Sequence, residues 1–305
     1  MIRIVRSLVI AILVFAPALV HAQRERYAPL ILQLPVSARS LALGGGVSAL
    51  RDADAVFGNP ALVGGNNALS VSGGRYGSGA STGHASTTMS IGMLGIGFGV
   101  AMLDARRRVA DFPARSEVLT DDGTSASSSL AASVGASLLF KGMRWGGAVK
   151  YIEERLRDVQ TGVVGADLGV WKDLRNGAFS AGLVVQNIGR SLQSGVTRVQ
   201  LPMGISLGVS GGGYAIGKYV DVGASTSVAV RRDGRIVPSG GAEFVLTPIE
   251  GITLAARAGA RTPELLAQRP ITLGSGFAVD RLTIDYAGED MQGKGGAHRV
   301  TLSLR

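Results

Sequence analysis

The stretch Met203-Gly204-Ile205-Ser206-Leu207-Gly208-Val209-Ser210 decides the fold of this chain. Large apolar residues alternate in it with glycine or serine, and an extended strand places alternate side chains on opposite faces. One face of this strand is therefore apolar, and the other is small and polar. The same alternation recurs in residues 220–228, 282–286 and 300–304, whereas sustained helical periodicity is missing. These patterns predict an all-β protein.

Turn residues divide the chain into 14 predicted strands. Their predicted bounds are 68–76, 82–92, 95–104, 126–140, 143–157, 162–172, 178–188, 201–210, 217–231, 236–247, 251–260, 270–279, 281–289 and 296–304. An even number of alternating strands of about 9 to 11 residues or more is typical of a bacterial outer-membrane barrel. We therefore predict an all-β fold, a 14-stranded antiparallel transmembrane β-barrel with a short N-terminal plug segment.

The lengths of the connections support the same prediction, because outer-membrane barrels have short periplasmic turns and longer external loops. With the N-terminus in the periplasm, every long connection falls on the external side. These connections lie near 105–125, 189–200, 261–269 and 290–295, with shorter ones near 77–81, 158–161 and 232–235. A soluble β-sandwich or propeller gives no reason for this sorting.

The first 22 residues are typical of a secretory signal peptide. Arg3 and Arg6 precede an apolar run over residues 8–20, and the small-x-small pattern of residues 20–22 fits a cleavage site. The run is too short to span a bilayer as a helix. We therefore assign residues 1–22 to a signal peptide, 23–67 to an N-terminal plug or hatch, and 68–305 to the barrel, located in the bacterial outer membrane.

Composition narrows the classes of function. The net charge of +9 comes from scattered Lys and Arg without neighbouring aromatic residues, which does not favour a nucleic-acid partner. Cysteine is absent, which excludes disulfides, thiolate metal sites and a thiol nucleophile. Beyond the signal peptide the only histidines are His84 and His298, without partners at metal-ligand spacing. The sequence thus indicates no enzyme, no catalytic residue, no metal and no cofactor.

The predicted plug contains the first group of candidate residues. Asn59-Pro60-Ala61 is expected to form a tight turn that either constricts the pore or only holds the plug in place, because proline fixes one dihedral and asparagine bonds to nearby backbone. Asp52 and Asp54 alternate in a loop, where acidic residues cap a helix or meet an arginine of the lumen more often than they catalyse.

A second group follows from the alternation itself. Charged residues whose sequence neighbours are large and apolar are placed in the lumen, because a lysine or arginine on the lipid side costs about 2–4 kcal/mol near the midplane. The predicted luminal polar network consists of Lys150, Asp167, Glu243, Arg257 and Asp285. It either stiffens the lumen through ion pairs or lines a path for a polar solute.

The N-terminal segment resembles the opening of the PorV/PorQ family of outer-membrane proteins, which is itself similar to the FadL transporters of hydrophobic compounds. The resemblance rests first on Ala38-Arg39, Leu43-Gly44-Gly45, the Asp52 and Asp54 pair, Phe57 and Asn59-Pro60-Ala61. It continues in residues 150–156, 166–170, 186–189, 201–203, 241–244 and 298–304. The chain departs from outer-membrane barrels in ending on Leu304-Arg305 in place of an aromatic residue.

The resemblance implies a 14-stranded barrel with a plug and offers two functions. PorV-like proteins are accessory or cargo-receiving components of type IX secretion, so their partners are secretion-system subunits or exported proteins. FadL-like proteins take up hydrophobic small molecules and pass them sideways through the wall. The secretion role is the first expectation and the hydrophobic channel is the alternative, with outer-membrane lipid as a partner in both cases.

Overall fold

The computed structural model describes most of the chain downstream of the predicted signal peptide. The described residues are 29–46, 48–65, 67–77, 79–105, 127–156, 159–174, 178–189, 192–194, 197–199, 201–264, 268–291 and 295–305. The predicted signal peptide and most of the predicted loop at 105–125 lie outside them.

The described strands form one closed antiparallel barrel of 14 strands and one small hairpin. The barrel strands are β1 (Ala68–Tyr76), β2 (Ala80–Ile91), β3 (Leu94–Ala105), β4 (Ser127–Phe140), β5 (Met143–Leu156), β6 (Val159–Leu174), β7 (Phe179–Gly189), β10 (Gly204–Ile216), β11 (Val220–Arg231), β12 (Ile236–Ile249), β13 (Ile252–Arg261), β14 (Gln268–Val279), β15 (Leu282–Met291) and β16 (Gly296–Leu304). The hairpin consists of β8 (Leu192–Ser194) and β9 (Thr197–Val199). The predicted fold class is confirmed.

Pairing between the first and last strands closes the barrel. β1 pairs with β16 from Leu69 opposite Leu304 to Tyr76 opposite Ala297, and all other neighbours are consecutive barrel strands. A closed ladder leaves no unpaired edge, which is what a bilayer requires of backbone groups. The opening stretch lies in β10, which runs six residues beyond the predicted end at residue 210. A bulge at Gly211 to Tyr214 lets this strand continue through three glycines.

The connections sort by length as predicted. At one end of the barrel they are two to four residues long, as at residues 92–93, 141–142 and 280–281. In the turn at 141–142, both Lys141 and Gly142 have positive φ, which suits a tight hairpin. We call this the short-turn end. The opposite end, which holds the predicted external loops and the β8–β9 hairpin that the sequence did not predict, is the long-loop end.

The two faces of the wall differ as the alternation predicts. Val149, Leu168, Phe244, Leu254 and Ile284 all point outward and are between 42% and 58% exposed. Such a continuous apolar outer surface would be unfavourable in water and fits contact with lipid. Most inward positions on the same strands carry small or polar residues, and Ile152 and Trp171 are large exceptions.

The two tryptophans lie on opposite faces of the wall. Trp145 is half exposed on the outer wall near the short-turn end, where aromatic residues suit the membrane interface. Trp171 faces the lumen and is 4% exposed, with the Arg51 guanidinium 4.0 Å above its ring. Its position in β6 has inward parity, and a cation inside the lumen occupies its face.

Among the described residues, no helix is long and apolar enough to cross a membrane.

The described residues of the range 29–67 lie inside the barrel, and we call them the luminal segment. It contains the short helix α1 (Ala38–Ala42) and 3₁₀ turns at Leu30–Leu32, Ala53–Val56 and Pro60–Leu62. Ser37 caps α1 by accepting a hydrogen bond from the amide of Ser40. The segment has no long regular element, so its backbone groups depend on the barrel for partners.

Candidate functional site

The luminal segment begins near the long-loop end and passes down the lumen. Ser72 of β1 and Arg299 of β16 donate to the carbonyl of Val36 at 2.7 and 2.8 Å. The amide of Ala38 donates to the Thr301 hydroxyl at 2.8 Å. Side chains of the strands thereby provide hydrogen-bond partners for backbone amide and carbonyl groups of the segment. These groups would otherwise lack partners, because the segment forms neither a sheet nor a long helix.

Glycines on the inner wall mark where the segment approaches the strands most closely. A Cβ added at Gly146 would lie 2.3 Å from the amide nitrogen of Ala61, and one at Gly259 would lie 2.4 Å from that of Gly44. Other inner glycines with a segment atom closer than 3.0 Å to an added Cβ include Gly95, Gly97, Gly99, Gly169, Gly182, Gly208, Gly241 and Gly274. These glycines form the seat of the segment, because any larger residue would displace its backbone or side chains.

The Asn59-Pro60-Ala61 turn is buried against β5 and β6. The Asn59 side chain accepts from the Ala61 amide at 3.0 Å and donates to the Ser48 carbonyl at 2.7 Å. All three residues are fully buried. The predicted tight turn is present, and it ties two parts of the luminal segment together. Its proposed role in gating remains a prediction.

Asp54 faces the middle of β2. Its carboxylate accepts from the Ser86 hydroxyl at 3.1 Å and lies 3.5 Å from Nδ1 of His84. Burial raises the pKa of Asp54 to about 7, and the nearby charge of Asp52 adds to the rise. Asp54 therefore binds a proton near neutral pH. Asp54 is the second residue of the 3₁₀ turn at Ala53–Val56. Its expected role as a cap stays a prediction.

Three of the five predicted network residues form one cluster with a partner from the luminal segment. The Arg257 guanidinium contacts Glu243 and also pairs with Asp285 at 2.6 Å. Arg39 of α1 forms two hydrogen bonds with Glu243, at 3.1 and 3.2 Å. We call these four residues the arginine cluster. Burial opposes the charge of Arg39, but the carboxylates of Glu243 and Asp52 outweigh it and raise its pKa.

The other two predicted residues lie apart from this cluster. Lys150 and Asp167 pair at 2.5 Å on β5 and β6, with their side chains 2% and 0% exposed. Lys150 also donates to the Phe57 carbonyl at 3.4 Å, and Asp167 accepts from the Asn187 amide at 2.8 Å. The pair therefore links the wall to the luminal segment and supports a bulge in β7, where Asn187 has φ of 57°.

An apolar cluster fills the lumen toward the long-loop end. Ile31 and Leu34 of the luminal segment are 5% and 7% exposed. They belong to a buried cluster that includes Leu201 of the connection before β10 and wall residues near the strand ends that join the long loops, namely Tyr76, Ala80, Leu103, Ala105, Met291 and Ala297. Gln33, from the same stretch, lines an open cleft with Pro202, Met203 and Arg231. We call residues 30–34 the apolar stretch.

Sequence reasoning missed several luminal groups. The alternation of side chains along the strands could also have placed Arg299, Glu289 and Arg261 inward. Val300, for example, points outward, so its neighbour Arg299 points inward. Arg261 pairs with Glu289 at 2.5 Å. Arg39 and the apolar stretch had no such signal, because they precede the first strand. Their partners became visible only in the folded chain.

The lumen offers polar anchors and an apolar space, but little for catalysis. In the part of the chain that the structure describes, no group of three or more His, Asp or Glu side chains is arranged to hold a metal ion. The charged groups of the arginine cluster and the Lys150–Asp167 pair contact one another or the luminal segment. The arrangement can hold a segment in place and offer an apolar surface to a solute.

Comparisons with known proteins give structural matches only. No protein-family model and no curated protein matches the chain. The toluene transporter TodX of Pseudomonas putida matches with a TM-score of 0.61 at 13% identity, over 88% of this chain and 98% of TodX. The monoaromatic hydrocarbon channel CymD gives 0.58 at 11% identity, over 88% and 96%. A FadL homologue of Pseudomonas aeruginosa gives 0.54 at 11% identity, over 88% and 97%. This chain thus has the fold of FadL-family channels.

Proposed function

We propose that this chain is a bacterial outer-membrane channel for the uptake of hydrophobic small molecules. The observation that carries the proposal is the apolar cluster, because it lines the inside of the barrel with apolar side chains and lies beside a small cleft at the long-loop end. Of the luminal segment, Val56, Phe57 and Leu62 also belong to the cluster, and the apolar stretch contributes Ile31 and Leu34. A hydrophobic solute that entered through the cleft would replace these contacts with similar ones.

The proposal includes an assignment of the chain to regions and to a membrane. Residues 1–22 serve as signal peptide, 23–67 as plug or hatch and 68–305 as barrel. The long-loop end faces outward, and the apolar wall contacts outer-membrane lipid. The structural neighbours, a toluene transporter and a monoaromatic hydrocarbon channel, support this class of solute.

The alternative expected from the PorV/PorQ resemblance receives less support. The comparisons found neither a PorV/PorQ family model nor a relative from a secretion system, so a type IX secretion role and its protein partners have no observation in their favour. The neighbours are channels and a transporter, which agrees with a protein that is not an enzyme.

Uptake by whole cells tests the proposed function. A host whose outer leaflet slows the entry of hydrophobic compounds is given radiolabelled toluene, with and without expression of the chain. We expect faster accumulation in the expressing cells, and no change in the uptake of a polar sugar of similar size. Equal toluene uptake in both hosts would contradict the channel function. If toluene uptake is equal and exported proteins co-purify with the chain, the secretion role would be favoured.

Deletion of residues 35–62 tests the plug. The barrel strands start at Ala68, so the deleted chain keeps its whole wall. We expect higher conductance in planar bilayers than for the complete chain, because the deletion empties the lumen of most of its segment. Unchanged conductance would show that these residues do not restrict the pore.

A further inference from the structure

The outer wall has a notch in its apolar surface toward the long-loop end. Gly73 of β1 and Gly83 of β2 are paired in the ladder, and both point outward. A Cβ added at either would have no atom within 4 Å. Their outer neighbours across the sheet are Val300 and Met102, which are 46% and 59% exposed. The notch is therefore two strands wide and has raised apolar sides.

Two basic side chains adjoin the notch on the side of the long-loop end. Arg75 follows Gly73 by two residues on the same face of β1, and His298 is its ladder partner on β16. Both are exposed. Below the notch, toward the short-turn end, Val71 and Leu69 continue the apolar surface. Positive charge thus meets an apolar trough on the lipid-facing side of the wall.

The histidine ring is held in place by its neighbour. The Tyr286 hydroxyl lies 2.7 Å from Nδ1 of His298, and the two rings stack with centroids 6.1 Å apart. Gly296 leaves room for the ring, because a Cβ there would lie 2.8 Å from Nε2. A tyrosine hydroxyl that donates to Nδ1 leaves the ring proton on Nε2. His298 then presents a fixed donor beside Arg75.

Arg75 differs from other arginines at the same height on the outer wall. Arg155 pairs with Glu153 at 3.0 Å, and Arg269 pairs with Asp290 at 2.8 Å. Within the part of the chain that the structure describes, Arg75 has no such acidic partner. Its exposed guanidinium therefore has donors available for an anionic group at the membrane surface. The charges of Arg155 and Arg269 are instead balanced by their acidic partners.

We propose that the notch and its two basic residues bind one phosphate-bearing anionic lipid of the leaflet at the long-loop end. An acyl chain lies over Gly73 and Gly83, and the lipid phosphate accepts hydrogen bonds from Arg75 and from Nε2 of His298. Arginine suits this role because its planar fork matches phosphate oxygens. Anionic headgroups and basic residues attract each other at membrane surfaces. The site needs only a lipid-facing wall and does not depend on the solute of the channel.

Native mass spectrometry of the detergent-purified full chain tests the site. The probes are dimyristoyl phosphatidylglycerol and dimyristoyl phosphatidylcholine, which have the same acyl chains and differ in net charge. We expect the wild-type chain to retain one phosphatidylglycerol in preference to phosphatidylcholine. The double variant Arg75→Gln with His298→Gln should retain about fivefold less of it. The matched control Arg269→Gln removes an outer arginine that has an acidic partner, and it should retain as much as the wild type.

A second variant separates the acyl chain from the headgroup. Gly73→Leu fills the notch and leaves both basic residues in place, so it should also lose the bound phosphatidylglycerol. Heat-modifiable electrophoretic mobility, the difference in migration between unheated and heated samples, checks that each variant is a folded barrel. Equal retention by wild type and double variant would overturn the proposal. A third outcome would also overturn the proposal: millimolar inorganic phosphate displaces the lipid from the wild type, and Gly73→Leu retains as much lipid as the wild type. The two basic residues would then bind phosphate alone, without an acyl chain in the notch.

Discussion

The luminal segment has two parts that the barrel holds by different forces. Residues 35–62 pack apolar side chains as well, but directional contacts also fix them, such as the two hydrogen bonds between Arg39 and Glu243 and the buried bonds of Asn59. The apolar stretch at residues 30–34 is held by apolar side chains that pack under the long-loop end. Directional contacts need a particular partner, whereas apolar contact can be replaced by any solute of suitable shape. The comparison separates an anchored part from an exchangeable one.

The largest effect is expected in the anchored part, at the arginine cluster. Glu243→Gln removes the carboxylate that Arg39 and Arg257 share, and it leaves two arginines that are largely shielded from water. Loss of one partner of a buried ion pair costs about 3–5 kcal/mol. Urea unfolding in detergent micelles should show a decrease of this size. The control Glu153→Gln breaks the pair with Arg155, whose side chain is 60% exposed. This change should lower the free energy of unfolding by about 1 kcal/mol or less. Equal losses would contradict the anchoring role of the cluster.

A smaller effect is expected from pH at Asp54. The folded state raises its pKa from 3.8 to about 7, so the folded chain binds this proton more tightly than the unfolded chain does. The resulting stabilisation is complete below pH about 4 and is lost as the pH rises through 7. The groups facing the carboxyl are His84, Asp52, Arg299 and the Ser86 hydroxyl.

Asp54→Asn tests this dependence, because it keeps the shape of the side chain and removes the titration. We expect the free energy of unfolding of the wild type to fall between pH 5 and 8 more steeply than that of the variant. The control Asp173→Asn, at an exposed pair with Arg51, should retain the wild-type slope. A wild type that gains stability over this range relative to Asp54→Asn would refute the raised pKa.

The smallest effect concerns the glycine seat, and two adjacent residues allow a matched test. Gly146→Ala places a methyl group 2.3 Å from the backbone of the Pro60 and Ala61 turn, whereas the same change at Gly147 meets nothing closer than a Leu168 methyl at 3.7 Å. Overpacking costs about 1–3 kcal/mol, so Gly146→Ala should be destabilised by this amount and conduct more in planar bilayers. Gly147→Ala should behave as wild type. Similar behaviour of the two variants would mean that the turn does not rest on this seat.

Alternation predicted the wall well and the lumen in part. It placed Lys150, Asp167, Glu243, Arg257 and Asp285 inward, because one residue in two must face away from lipid. It could not pair them, since cross-strand neighbours depend on register and barrel closure. The arginine cluster needed Arg39, which comes from a segment with no period of its own. The apolar stretch escaped for the same reason, because Leu30-Ile31-Leu32 has no repeat long enough to indicate its environment.

Binding of toluene to the purified chain tests the central claim most directly, namely that the apolar stretch occupies the place of a hydrophobic solute. Equilibrium dialysis in detergent compares the wild type with Ile31→Ala combined with Leu34→Ala, which leaves the anchored part unchanged. We predict that the variant binds toluene more tightly. The affinity should rise by about tenfold if the lost contacts of Ile31 and Leu34, which compete with toluene, contribute roughly 1.4 kcal/mol. Weaker binding by the variant, or no binding by either chain, would contradict it.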